Sequence, residues 1–209
     1  VIEAGNFDNG TVDPGVPTAK GTLAASDVDR DTVLTWKILD AAKAKFGSIE
    51  VNPVTGAWTY YLDNTRSATQ ALKATDTKLE TFKAQISDGK GGVAEQLIKI
   101  EITGKNDVAT FAPASLIGEV TEDTVINVAK RANVSDPDEQ ENFFKPSSQR
   151  GVYGDFEILK DGGWVYKLNN LSPIVQALNR VDTRTEEFKV TTVGGTQAIV
   201  TVTVRGKDE

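Results

Sequence analysis

Trp58-Thr-Tyr60-Tyr-Leu62-Asp-Asn64 and Trp164-Val-Tyr166-Lys-Leu168-Asn-Asn170 are two copies of one pattern, 106 residues apart. The same offset joins Gln70-Ala71-Leu72 to Gln176-Ala177-Leu178, and Thr81-Phe82-Lys83 to Glu187-Phe188-Lys189. Upstream, Gly47-Ser-Ile-Glu-Val51 matches Gly154-Asp-Phe-Glu-Ile158 at 107; downstream, Ile102-Thr-Gly104-Lys105 matches Val204-Arg-Gly206-Lys207 at 102. The offset drifts only in Gly-rich turns, where insertions cost least. A tandem duplication follows, with its boundary near 104–108 and repeats at 1–106 and 107–209.

Inside each repeat the pattern is short strands punctuated by Gly, Pro, Asn and Asp. Gly21–Ser26, Leu34–Ile38, Ser48–Val51, Ala57–Leu62, Thr81–Ile86 and Leu97–Ile102 alternate or nearly so, and the second repeat ends in Ala198-Ile-Val-Thr-Val-Thr-Val. Ser172-Pro-Ile-Val-Gln-Ala-Leu-Asn offers an N-cap, a first-turn proline and about two helical turns. Six or seven strands and one helical crossover per hundred residues predict an all-β protein of two tandem immunoglobulin-like or cadherin-like β-sandwiches. Trp58, Tyr60 and Leu62 share one strand face, as do Trp164, Tyr166 and Leu168, and are expected in the cores. Trp36 has no tryptophan partner in the other repeat and is expected in or near the core as well.

Composition narrows the chemistry. The 209 residues include no Cys, His or Met, 18 Gly, and 30 acidic against 23 basic residues, a net charge of −7. Disulfides, thiol nucleophiles, imidazole bases and the usual zinc sites are excluded, leaving oxygen ligands suited to calcium or magnesium. The acidic balance argues against nucleic acid, and no apolar run is long enough to span a membrane. A start without Met or a signal-peptide pattern fits a piece of something longer.

Carboxylates cluster in three places. Ser26-Asp27-Val-Asp29-Arg-Asp31 and its counterpart Ser135-Asp136-Pro-Asp138-Glu139 follow early strands, and alternating carboxylates in a tight loop converge on one point. Ser87-Asp88-Gly-Lys-Gly-Gly92 is the last turn of the first repeat, where Asp88 is expected to face Asp27 and Asp29. Gly104-Lys-Asn106-Asp107 is the junction, expected near Asp136 and Asp138, with Glu3 and Glu122-Asp123 as further ligands. Neither an EF-hand nor a Gly-Gly-x-Gly-x-Asp repeat fits. Asp, Asn and Gly also favour turns without any ion.

These residues together resemble the VCBS repeat family: Val1-Ile-Glu3 and Val120-Thr-Glu122 as openings, then Gly21-Thr-Leu-Ala-Ala-Ser-Asp27-Val-Asp29, Thr55-Gly-Ala-Trp58 through Asn64, Gln70-Ala-Leu72 and Ile102-Thr-Gly104-Lys-Asn106-Asp107. The resemblance covers nearly the whole chain, twice. It implies a calcium-rich, secreted or bacterial-surface setting, RTX-type adhesins, and modules that extend or adhere in cell adhesion or biofilm formation. Neighbouring repeats of the same chain would be the partners, any host-cell or matrix receptor being met by other regions. The second repeat has Thr192-Val-Gly194-Gly195 where Asp88 would recur, and the first has about ten extra residues within 6–20. A stalk module with Ca2+ at its junction is the leading expectation. Direct carbohydrate or protein binding is the alternative, and an enzyme the weakest reading, since the paired carboxylates sit in repeated loops with no other catalytic group.

Overall fold

The computed structural model describes residues 1–7, 9–29 and 32–208, so Asp31 of the first acidic loop falls outside it. The chain divides into two compact units, Val1–Asp107 and Val108–Glu209. Both are β-sandwiches.

In the first unit, β1 (Thr18–Thr22), β3 (Gly47–Val51) and β4 (Ala57–Leu62) form one antiparallel sheet in the order β1-β4-β3. The other sheet joins β2 (Thr35–Ile38), β5 (Thr77–Ser87) and β6 (Val93–Thr103) in the order β2-β5-β6. Alternation places Tyr60 and Leu62 from one sheet against Phe82, Ala84, Ile86, Ile98, Ile100 and Ile102 from the other, all buried. Trp36 is 6 % exposed and belongs to this core, whereas Trp58 is half-buried at its margin.

The second unit repeats the plan with two changes. β7 (Ile117–Thr121) pairs in parallel with β13 (Gln197–Arg205), which pairs in turn with β12 (Thr183–Thr191). β8 (Asn127–Arg131), β11 (Gly163–Leu168), β10 (Gly154–Ile158) and β9 (Ser147–Arg150) form the opposite sheet in that order. The strand that follows the Asp-x-Asp loop thus changes sheets. β2 pairs with β5 in the first unit. In the second, Phe143 to Lys145 still bond to 191–193, but after Pro146, which has no N–H to offer, the chain crosses to β10 as β9. Between the sheets Phe156 stacks on Phe188, ring centroids 4.7 Å apart and 7° from parallel.

The backbone ladders identify the counterpart of Trp36. Trp36 lies opposite Ile86, and Phe144 opposite Thr192. Each has a glycine against its ring: a Cβ on Gly56 would be 2.8 Å from Trp36 Nε1, and one on Gly162 would be 3.1 Å from Phe144 Cε2. Both glycines are left-handed, with φ 69° and 87°.

Two local expectations are corrected. The Gly21–Ser26 strand is Thr18–Thr22, because its pairing with β4 ends at Thr22↔Ala57. The helix after Ser172 is a single turn, α2 (Pro173–Gln176), matched by α1 (Ser67–Gln70), and the Ser172 side chain makes no capping bond.

Across the parallel β7–β13 pair, Arg205 meets Glu119 through Nε to Oε1 and Nη2 to Oε2, both at 2.9 Å. The guanidinium hydrogen bond holds the Glu119 carboxyl below its ordinary value. A depressed folded value stabilises above the unfolded titration and loses that support as pH falls through the folded one. Glu119→Gln is therefore expected to flatten the acid limb of a pH–melting profile slightly, both groups being about half exposed. An unchanged limb would remove the pair from the acid response.

Candidate metal centre

The loop after Val134–Ser135 is closed by its own polar groups. The backbone N–H of Asp136 donates to Asn142 Oδ1 at 2.6 Å, and that of Asp138 to Asp136 Oδ1 at 2.9 Å. Gln140 adopts a left-handed backbone (φ 64°), which turns the chain between Glu139, exposed, and Glu141, half-buried. One oxygen from each of Asp136, Asp138 and Glu141 lies within 4.8 Å of the others. Asp136 is 7 % exposed and Asp138 1 %.

Three carboxylates this close repel one another, and burial raises the cost. Desolvation pushes the Asp136 carboxyl up, with the Asp138 N–H partly opposing it. Asp136 Oδ2 is buried and meets no hydrogen-bond donor among the described residues, and the Thr192 hydroxyl oxygen is likewise buried and unbonded. A hard divalent cation fits this donor set, which is all oxygen and carries enough negative charge to offset the ion's. Among the described residues no other group of three carboxylates comes together in this way.

The remaining candidate ligands sort by place. Asp27 and Asp88 line one cavity of about 220 Å³ in the first unit, with Asp27 Oδ1 accepting the Asp29 N–H at 2.8 Å, as Asp136 does from Asp138. Asp29 is exposed and does not line that cavity. The Asp88 carboxyl is held low, first by the Lys90 N–H and also by that of Gly92. Glu3 is fully buried, its Oε2 accepting the Lys105 N–H at 3.2 Å, and Glu122 accepts the Lys207 N–H at 3.3 Å in the matching place. Asn106 donates its side-chain amide to the Asp107 carbonyl, and Asp107 is 3 % exposed.

Glu122, a candidate further ligand, lies apart from Asp136. It sits past the end of β13, whereas the acidic loop lies by the turn that precedes β13, so the nine-residue strand separates them by about 30 Å. Glu141 was missed. The sequence shows two glutamates flanking Gln140, and only the turn at Gln140 decides which one faces inward.

A further device recurs in both units. Tyr60 donates its hydroxyl to Glu80 Oε2 at 2.6 Å, and the Lys45 and Phe46 N–H groups donate to Glu80 Oε1. Tyr166 donates to Glu186 Oε2 at 2.5 Å, and Val152 and Tyr153 N–H to Oε1. Each glutamate is nearly buried and fastens the segment before β3 or β10 to the opposite sheet. With every oxygen engaged, the pair is structural.

Residues 3–101 match the bacterial Ig domain family, and residues 106–206 the bacterial cadherin-like domain family. No protein of curated function matches the sequence. Among solved structures, mouse cadherin-23 EC22-24 is similar at 17 % identity and TM-score 0.51, over 99 % of this chain and 62 % of that one. The protocadherin gammaB7 EC3-6 cis-dimer structure is similar at 16 % identity and TM-score 0.52, over 92 % and 43 %. The human desmocollin-1 ectodomain gives 20 % identity and TM-score 0.45, over 92 % and 39 %. The chain thus spans about two fifths to three fifths of the lengths of these structures. At such identities the likeness is one of fold.

Proposed function

We propose that this chain, a bacterial Ig domain followed by a bacterial cadherin-like domain, is a calcium-binding extender module of a bacterial surface adhesin. Asp136, Asp138 and Glu141 hold the ion in the second unit. The observation that carries this is Asp136 Oδ2, a carboxylate oxygen buried with no donor beside two more carboxylates. A fold without a cation would leave that charge uncompensated. The finer reading is a VCBS-type module of an RTX adhesin, outside the cell, whose calcium stiffens the chain and whose nearest partners are other repeats of the same protein. Trp36, the tryptophan without a counterpart in the other repeat, is buried and offers no exposed ring for sugar stacking.

Calcium that binds only the folded second unit, at about 100 times its dissociation constant, adds about 2.7 kcal/mol. The melting temperature of that unit is expected to rise by roughly 10–20 °C between chelator and excess calcium. Coincident melting curves would remove calcium from the account. Stiffening is checked separately: the small-angle scattering distance distribution should narrow when calcium replaces chelator, and an unchanged distribution would leave a bound ion without that mechanical role.

A further inference from the structure

The two units do not collect their carboxylates from the same loops. Asp27 and Asp136 correspond: each follows a serine, and each accepts the N–H of an aspartate two residues on. In the first unit the turn between β5 and β6 brings Asp88 to the cavity that Asp27 lines. Counting two residues on from the matched positions Ile86 and Thr192, the counterpart of Asp88 is Gly194. The offset of 106 residues that joins Phe82 to Phe188 gives the same pairing. At this place the second unit has no carboxylate.

Glu141 occupies the gap. A Cβ built on Gly194 would collide with Glu141 Oε2 and lie 3.4 Å from Asp136 Oδ2. The Glu141 carboxylate therefore stands where a side chain at 194 would begin, beside the oxygen that Asp136 leaves without a donor. The positions that align with Glu141 in the first unit, within the one-residue difference of the two loops, are Thr32 and Val33, neither of them acidic. Gly194 itself is outside the left-handed region, unlike Gly195 at φ 104°, so its backbone does not demand glycine. What excludes a side chain there is the space that Glu141 fills.

We infer that Glu141 is the third calcium ligand of the second unit, supplied from the loop before β9 in place of the turn carboxylate that the first unit carries as Asp88, and that Gly194 is the counterpart of that exchange. This rests on the calcium reading above and supplies the third carboxylate of the second unit's donor set from within that unit.

The test is a calcium titration of the full chain, followed through the Gly194 and Gly195 amide resonances, or that of residue 195 alone where 194 is changed. These report the second unit alone. Glu141→Gln keeps size and removes charge, and it is expected to weaken binding by about tenfold or more, since affinity follows ligand charge. Glu141→Ala should weaken it as much, and adding Gly194→Asp to that variant should restore affinity to within a few-fold of the parent. Gly194→Asp alone, with Glu141 still in the way, should bind no better than the parent. Parent-like affinity in Glu141→Gln, or no recovery in the double variant, overturns the exchange while leaving calcium binding standing. A parent chain whose resonances ignore calcium overturns both.

Discussion

Trp164→Ala is expected to cost the second unit about 3–5 kcal/mol, while Trp58→Ala, at the matching position, costs the first roughly 1–2 kcal/mol. The sequence pattern treats the two tryptophans alike, but their surroundings differ. Trp164 is 1 % exposed, donates its indole N–H to the Ser115 carbonyl at 3.0 Å, and touches Phe156 with ring centroids 5.8 Å apart. β7 lies against it so closely that a Cβ on Gly118 would be 2.7 Å from Cη2. Removing the ring leaves a cavity and a carbonyl without its donor. Trp58 rests over Gly21 and is half-buried, and among the described residues the parallel pairing on β6 is confined to Ile2 with Thr103. Urea unfolding of each variant, read on the transition of the altered unit, checks the difference. Equal losses would mean that burial by β7 does not set the contribution of this residue.

Glu186→Ala is expected to destabilise the second unit by about 3 kcal/mol or more, an unusual outcome for deleting a carboxylate from a sandwich. The reason is the number of donors it leaves behind. The Tyr166 hydroxyl and the N–H groups of Val152 and Tyr153 all end on Glu186; Tyr166 is fully buried, so its hydroxyl has no water to turn to, while the two N–H groups are only partly covered. Glu186→Gln keeps an acceptor for the two N–H groups and should cost less, about 1–2 kcal/mol, and Tyr166→Phe should fall in the same range. Glu186→Leu should not rescue the alanine variant, because an apolar side chain restores packing while leaving the buried Tyr166 hydroxyl unbonded. Unfolding free energies of the three glutamate variants decide it. An alanine or leucine variant within about 1 kcal/mol of the parent would show that the segment before β10 finds other acceptors.

The repeat at 106 residues made the architecture legible, because Trp, Tyr and Leu two apart on a strand must face one core in both copies. Strand ends were less legible. Ala24 to Ser26 continue the composition of β1, but pairing stops where β4 begins its turn at Gly56, and only the partner strand reveals that. Glu80 and Glu186 were present as signals: each is two residues before a buried phenylalanine on the same strand face, and each recurs at the common offset. Charge obscured them, since a glutamate in an alternating strand ordinarily marks the solvent side. Among the candidate ligands, the Asp-x-Asp loops were readable from spacing. Glu141 was not, for its direction depends on one left-handed residue, Gln140. Asp27 and Asp88 were placed together by topology, and a cavity lined by both is found.

The change of sheet at Pro146 bears on how such a chain avoids entangling with itself during synthesis. Adjacent repeats of similar sequence invite strands to be traded between neighbours, a characteristic failure of tandem proteins. Here β2 of the first unit is fitted to the sheet of β5, and its counterpart β9 to the sheet of β10. A traded hairpin would arrive with that strand suited to the wrong layer and could not close the hybrid. The different pairing of this strand thus helps to distinguish two neighbours of similar sequence on the way to the native state.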